Sequence, residues 1–451
     1  MKKITAAVLC IALCLTLFVP VFAAETSGTC GASVNWSYDA VSKTLTLSGT
    51  GEMTNYKDVV SIPWKVYCKE IQKIEIGTGI TSIGDYSLSW CENVTSVVIP
   101  PSVTRIGVDA FGWCSSLRDV TLPDGLLSIE REAFALCSSL ETIDIPASVT
   151  NIGSMAFLSC YGLKDINVNA GNTKYRSFDG VLYDVQSSTL VCYPLGKSAE
   201  TFTVPENIIN IGPSAFSGNE VLKTVEMPSV KKIGNKAFFT CSALYNVVMN
   251  SVEIIEDLAF YRCSDIVSVS LPESAVSLGS EVFRNCANLQ LVMLANNNIA
   301  IGSNILGGAP YAAIVANNYS TGQMYAYNCG IPFYGFVKVY YDGEAVAYDP
   351  TAFIVNDSTT LVPMRQVFEM LNADVSWNDA TNTAGAVRGG VAVSIQIGSG
   401  TMYRNGQAID LPVPGQLIAD KTYVPIRAVT EAFGNQVDWD ENTNSVYITS
   451  N

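Results

Sequence analysis

The 451-residue chain carries 26 basic and 41 acidic side chains, a net charge of −15, and no histidine. Without histidine a Ser-His-Asp or Cys-His catalytic site is excluded, as is a His-ligated zinc or copper centre, so any catalysis would rest on carboxylates, Tyr, Lys or Cys. The acidic balance repels phosphate backbones and anionic lipid, which argues against nucleic acid as a partner.

Lys2 and Lys3 precede an apolar run from Ile4 to Val21, and Val21-Phe22-Ala23 supplies small, uncharged residues for a peptidase. Residues 1–23 are therefore expected to be a secretory signal peptide, cleaved after Ala23 or Ala24. Cys10 and Cys14 would leave with it, and neither lies in a lipoprotein cleavage box. Downstream no apolar run reaches the roughly 18 residues that a membrane span needs. The expected location is secreted, extracellular or at the cell surface. What remains is long for one compact core, so several domains or an elongated array are expected.

Residues 25–70 come first. Val34 to Ser48 alternates as two short strands around a turn, and Gly49 and Gly51 sit in the turns after them. The segment is expected to be a β cap over one end of a repeat array. Cys30 and Cys68 flank it, read as lying outside the phase of the repeat, and are the candidate disulfide; two free thiols are the alternative.

A repeat then takes over. Ala-Phe recurs at Ala110-Phe111, Ala133-Phe134, Ala156-Phe157, Ala215-Phe216, Ala237-Phe238 and Ala259-Phe260, and Val282-Phe283 continues it. Three residues beyond the aromatic position stand Cys91, Cys114, Cys137, Cys160, Asn219, Cys241, Cys263 and Cys286. Segments such as "LETIDIP" alternate as short strands ended by proline. A unit of about 23 residues cannot exclude water from its own apolar face, so copies must stack into a solenoid with one continuous core. Residues 71–335 are expected to be the solenoid, and roughly ten coils between Ile71 and Ile314 would make a rod about 50 Å long at strand spacing. Phe is expected inside, and the Gly after Ile at a sharp corner. The cysteines read as a ladder of small buried thiols, because Asn219 replaces one at the same phase and stacked side chains point in parallel, which suits disulfides poorly.

Between Phe157 and Phe216 about 13 extra residues appear, and residues 172–196 read as an inserted hairpin. It is either a tolerated insertion or a protruding contact element carrying Tyr175, Tyr183 and Tyr193. Outward strand positions supply a candidate binding face: Arg118, Thr121, Glu141, Asp144, Lys164, Asn167, Lys223, Glu226 and Tyr245. Their mixed signs suit a solvated surface equally well.

The repeat, the "FDGVLYD" hairpin and the opening module resemble the BspA-type leucine-rich repeats of bacterial surface proteins. That resemblance implies adhesion or binding to extracellular macromolecules, rarely catalysis.

Residues 336–451 hold a second duplication: Val362, Pro363, Arg365, Glu369 and Trp377 match Val424, Pro425, Arg427, Glu431 and Trp439. Each copy reads strand, helix, strand, strand, and the whole is expected to be a small α+β domain of two halves. It resembles the copper amine oxidase N-terminal-like domain found at the ends of exported proteins of Gram-positive bacteria. Copper amine oxidases hold their metal on histidines of a separate domain, so this part implies an accessory without a catalytic, cofactor or metal site, with cell-wall retention as the expected role. Arg365 and Arg427 are expected to bridge Glu369 and Glu431. Trp377 and Trp439 are expected on a half-buried sheet face. Asp438 to Asn444 is expected to be a hairpin turn rather than a calcium loop.

The fold class expected is thus a β-rich leucine-rich-repeat solenoid with an N-terminal β cap, followed by the α+β domain. The expected function is a non-enzymatic secreted or surface binding protein whose partner is an extracellular protein or glycan. A carboxylate-based glycan-active enzyme and a structural spacer are the alternatives.

Overall fold

The computed structural model describes residues 25–347, 352–355 and 359–451; the expected signal peptide lies outside them. The cap is an antiparallel sheet of Ser27–Thr29, Val34–Asp39 and Thr44–Gly49. Alternation buries Val34, Trp36 and Tyr38 on one face, and Trp36 packs on Trp64 with ring centroids 5.5 Å apart. Thr44–Gly49 then pairs in parallel with Lys73–Ile76, so the cap covers the exposed edge of the first coil.

Each coil has three walls. In the first, a short strand pairs in parallel with its counterpart in the next coil, as Thr142–Ile145 does with Asp165–Val168 and Thr224–Met227 with Asn246–Met249. Inward residues such as Ile143 and Val225 are buried and their neighbours face out. The second wall is a two-residue step: Arg105–Ile106, Ser128–Ile129 and Asn151–Ile152 stack in register. The third wall is a lattice of turns. The Phe111 and Trp113 N–H groups donate to Ala133 O and Ala135 O, both at 2.8 Å. Left-handed residues bracket each Ala-Phe pair, as with Asp109 (φ 51°) and Trp113 (φ 63°). Each costs roughly 1–2 kcal/mol outside glycine, offset by the inter-coil bonds it aims. The Gly after Ile is not the corner expected. It has no positive φ; a Cβ on Gly107 would meet Asp85 N at 2.7 Å, so glycine is needed where neighbouring coil backbones touch.

The interior carries a column of rings. Phe111 and Phe134 stack at 5.3 Å, Phe216 and Phe238 at 4.7 Å, and Phe238 and Phe260 at 4.9 Å. Beside it runs the thiol column. The thiols of Cys114, Cys137 and Cys160 donate to the carbonyls of Leu88, Phe111 and Phe134 in the preceding coil at 3.0–3.2 Å. Cys241, Cys263 and Cys286 do the same to Phe216, Phe238 and Phe260, each at 3.1 Å. Asn219 behaves differently: its Oδ1 accepts the Val221 and Leu222 N–H groups of its own turn at 3.0 and 2.8 Å.

The inserted segment corrects two expectations. Tyr175–Phe178, Val181–Asp184 and Thr189–Cys192 form an antiparallel three-stranded unit, and Leu190 of the last pairs with Ile211 as a second-wall step. Tyr193 then fills the aromatic position of that coil, stacked 5.1 Å from Phe216. The hairpin does not protrude: Tyr175, Tyr183 and Tyr193 are all buried, none more than 4% exposed. Nor is the core continuous. The middle strand is buried on both faces, with Leu182 packed in the cap-side cluster and Val181 and Tyr183 in the other. A strand with apolar side chains on both faces has no solvated side, so it becomes an internal partition.

Helix α1 (Thr321–Cys329) closes the far end, capped by Ser320 Oγ, which accepts the Gln323 N–H at 3.2 Å, and ended at Gly330 with φ 66°. The strand sheet does not stop there. Phe333–Phe336 pairs in parallel with Ala313–Ala316 and antiparallel with Phe353–Val355, which leads to Thr359–Pro363 and Lys421–Pro425. Val362 faces Val424 across that last antiparallel pair, so the two homologous halves meet about a local two-fold. Each contributes one helix, α2 (Met364–Met370) or α3 (Ile426–Ala432), and one hairpin.

Candidate functional site

The outward strand positions form a flat face whose polar groups satisfy one another between coils. Lys164 Nζ lies 2.9 Å from Glu141, and Asn167 Nδ2 donates to Asp144 at 2.8 Å. Glu141 is held below the usual carboxylate range by its hydrogen bond to Lys164 and that charge, with Arg118 contributing least. Thr121 is exposed beside this column. Beyond the partition, Lys223 meets Glu200 at 2.8 Å and Glu226 accepts from Thr203 Oγ1 at 3.2 Å. Eight of the nine candidate residues thus lie in two blocks, Thr121, Asp144, Asn167 and Glu226 on the strands and Arg118, Glu141, Lys164 and Lys223 just before them. Solvent screens such exposed pairs, so they contribute little to the stability of the fold.

Tyr245 differs from the others. It is 41% exposed, but its hydroxyl donates to Asp420 of the duplicated module at 2.5 Å, and that bond pushes its own pKa up to about 12. It sits at the edge of a junction within the chain. There the module packs on the last coils, with Ala419 N–H donating to Gln290 Oε1 at 2.8 Å. Outward residues Leu291, Met293, Ala313 and Val315 are buried against Phe353, Leu361 and Tyr423. The signal was present in the sequence: "LVML" and "AIVA" are apolar at the positions where "TIDI" and "TVEM" alternate.

The Cys30–Cys68 disulfide is not formed; both are buried free thiols. The reason is one of phase. Cys68 precedes Cys91 by 23 residues and is the first rung of the ladder; its thiol is hydrogen-bonded with that of Cys91, which holds Cys68 low and Cys91 well above the usual thiol value. Cys192 stands at the Ala position of its coil, pushed up to about 12 by burial, while Cys329 is exposed.

In the module, Arg427 Nη1 lies 3.3 Å from Glu431 and donates to Val437 O at 2.7 Å. No Arg365–Glu369 ion pair occurs among the described residues. Asp440 shapes the hairpin turn, accepting from Asn442 N and Thr443 Oγ1 at 2.9 and 2.7 Å. Trp377 and Trp439 lie on strands and are 41% and 38% exposed, in line with a half-buried sheet face.

Stacked parallel strands, an internal ring column and a one-per-coil thiol or amide define a leucine-rich-repeat solenoid. The profile of the BspA type leucine rich repeat region matches residues 66–179 and 192–310 in six copies, over half of the chain. The chain belongs to that family. The copper amine oxidase N-terminal domain profile matches residues 340–448. A stretch of 92 residues is 26% identical to the primary amine oxidase of Klebsiella aerogenes, spanning 20% of this chain and 12% of that protein. So small a share carries no activity over, and a chain without histidine lacks the donors of a His-ligated copper centre. Among solved structures, the pneumococcal vaccine antigen PcpA is similar with a TM-score of 0.52 and 22% identity, covering 66% of this chain and 88% of that one. A leucine rich cell surface protein of Faecalibacterium prausnitzii gives 0.49 and 22%, covering 67% and 97%. Among the described residues no helix is long and apolar enough to cross a membrane.

Proposed function

We propose that the chain is a non-catalytic binding protein of the bacterial surface. The open strand face of its solenoid engages an extracellular protein or glycan, and residues 336–451 cover the outward face of the last coils and hold the chain to the cell wall. One observation carries this reading: the outward positions stay polar in two blocks, from Arg118 to Asn167 and from Lys223 to Glu226, while those of the last coils are apolar and already occupied by the chain's own module. A surface whose apolar part is filled internally leaves its polar part free for a partner. The family and the surface proteins it resembles support the location, and the basic start of the sequence supports export.

The test is a screen of the full chain against immobilised glycans and matrix proteins, repeated with Arg118→Glu, Lys164→Glu and Lys223→Glu combined. The expected result is a partner whose binding drops at least tenfold in the triple variant while the melting temperature barely moves. Undiminished binding by that variant would show that the strand face is not the site. Sedimentation with purified cell walls checks the retention role separately.

A further inference from the structure

The local two-fold of the C-terminal module makes two cavities from the same parts. One, of about 350 Å³, is walled by Pro363, Arg365, Val375 and Trp377, with Lys421 and Thr422 reaching in from the other half. The second, of about 370 Å³, is walled by Pro425, Arg427, Val437 and Trp439, with Thr359 and Thr360 reaching in from the first. Each residue named here has its counterpart 62 residues away in the other half, so the duplication has produced a related pair of hollows.

Both hollows hold a large ring that is not committed to a core, since both indoles are over a third exposed. The Trp377 ring is pinned by its Nε1–H, which donates to Asp379 at 2.6 Å. Each hollow also holds a guanidinium with donors to spare. Arg365 has no ion pair among the described residues, and Arg427 uses one nitrogen on Val437 O and Glu431. The first hollow sets Arg365 and Lys421 against Asp420, and the second sets Arg427 beside its partner Glu431. Asp420, the single carboxylate on the first, is already engaged by Tyr245. Trp439 also borders a larger cleft of about 910 Å³ between the module and the solenoid end, whose walls present the amides of Asn318, Gln323, Asn442 and Asn444.

We propose that these two hollows bind the sugar units of a carboxylate-bearing oligosaccharide. An indole face accepts the apolar C–H face of a pyranose, a guanidinium fork matches a carboxylate, and amides along the adjoining cleft meet hydroxyls of further units. The inference rests on the retention role proposed above and names its ligand. Two sources share this chemistry: wall glycan strands stripped of their stem peptides, whose lactyl carboxylates are then free, and uronic-acid polymers of a host matrix.

The test is calorimetric titration of the full chain with three soluble probes: N-acetylglucosamine–N-acetylmuramic acid oligosaccharides, hyaluronan oligosaccharides and the neutral N-acetylglucosamine tetramer. Two sites per chain are expected, at least tenfold weaker for the neutral probe. Trp377→Ala and Trp439→Ala should each remove one site and together remove both; Trp377→Phe, which keeps a ring, should restore part of the loss and so exclude misfolding. Arg365→Gln should weaken the acidic probes alone. Either acidic probe bound in this way supports the proposal, and the tighter one names the source. Equal affinity for the neutral probe, acidic binding that survives the double tryptophan variant, or no binding at all would overturn it. Cell-wall sedimentation that survives the double tryptophan variant would sink the hollows and keep retention; saccharide binding without wall sedimentation would do the reverse.

Discussion

At the scale of single residues, the thiols show how one position can be satisfied in two ways. A cysteine sends its S–H back to the coil before it, whereas Asn219 turns its oxygen toward its own loop and leaves Nδ2 buried without a partner. With burial raising the thiols of Cys241 and Cys286 to about 12, almost none is thiolate at neutral pH. A thiol reagent is therefore expected to modify Cys329 quickly and the ladder only in denaturant, with the native mass unchanged by reductant. Mass spectrometry of the labelled chain decides this, and a reductant-sensitive pair at Cys30 and Cys68 would contradict it. Asp109 supplies a pH dependence. Burial, then Glu132, raises its carboxyl to about 6, above its unfolded value of 3.8. The folded state thus holds the proton longer, so the stability this group contributes is full below about pH 4 and is lost as pH rises through about 6. After screening for a partly exposed group the loss is about 1 kcal/mol. Urea midpoints at pH 4.5 and 7 should show it, and Asp109→Asn should flatten it. The ladder was legible because its spacing is rigid; Cys68 was missed as a member although the same 23-residue step reaches it.

At the scale of elements, the inserted hairpin was legible as strands but not as to place. Strand alternation and turn residues show in the sequence, yet nothing local says whether Val181, Leu182 and Tyr183 meet solvent or two separate cores. The 13-residue excess also hid Tyr193 as a ring of the column, because Tyr there lacks the preceding Ala that marks the other coils. The packing makes a specific demand of Leu182. Leu182→Ala should cost about 2–5 kcal/mol and lower the melting of the cap-side half. Hydrogen exchange resolved along the chain would show the loss between residues 71 and 168 and little beyond residue 201. An even loss along the chain would mean that the two clusters are not separate.

At the scale of the whole molecule, the solenoid and the duplicated module share one sheet, and the module covers apolar strand face. Profile boundaries and sequence repeats separate these parts, because repeats report ancestry while the sheet reports hydrogen bonding across residues 333–355. A chain ended at residue 335 would uncover Leu291, Met293, Ala313 and Val315 along an open strand edge. It is expected to bind an apolar dye, associate at micromolar concentration and melt lower than the full chain; light scattering and calorimetry check this. The partition at residues 181–184 has a mechanical reading as well. In a repeat array, unravelling that starts at one end travels from neighbour to neighbour. Here it would meet a bulkhead, so a tug or a protease cut at the cap would flood one compartment and leave the compartment that carries the duplicated module afloat.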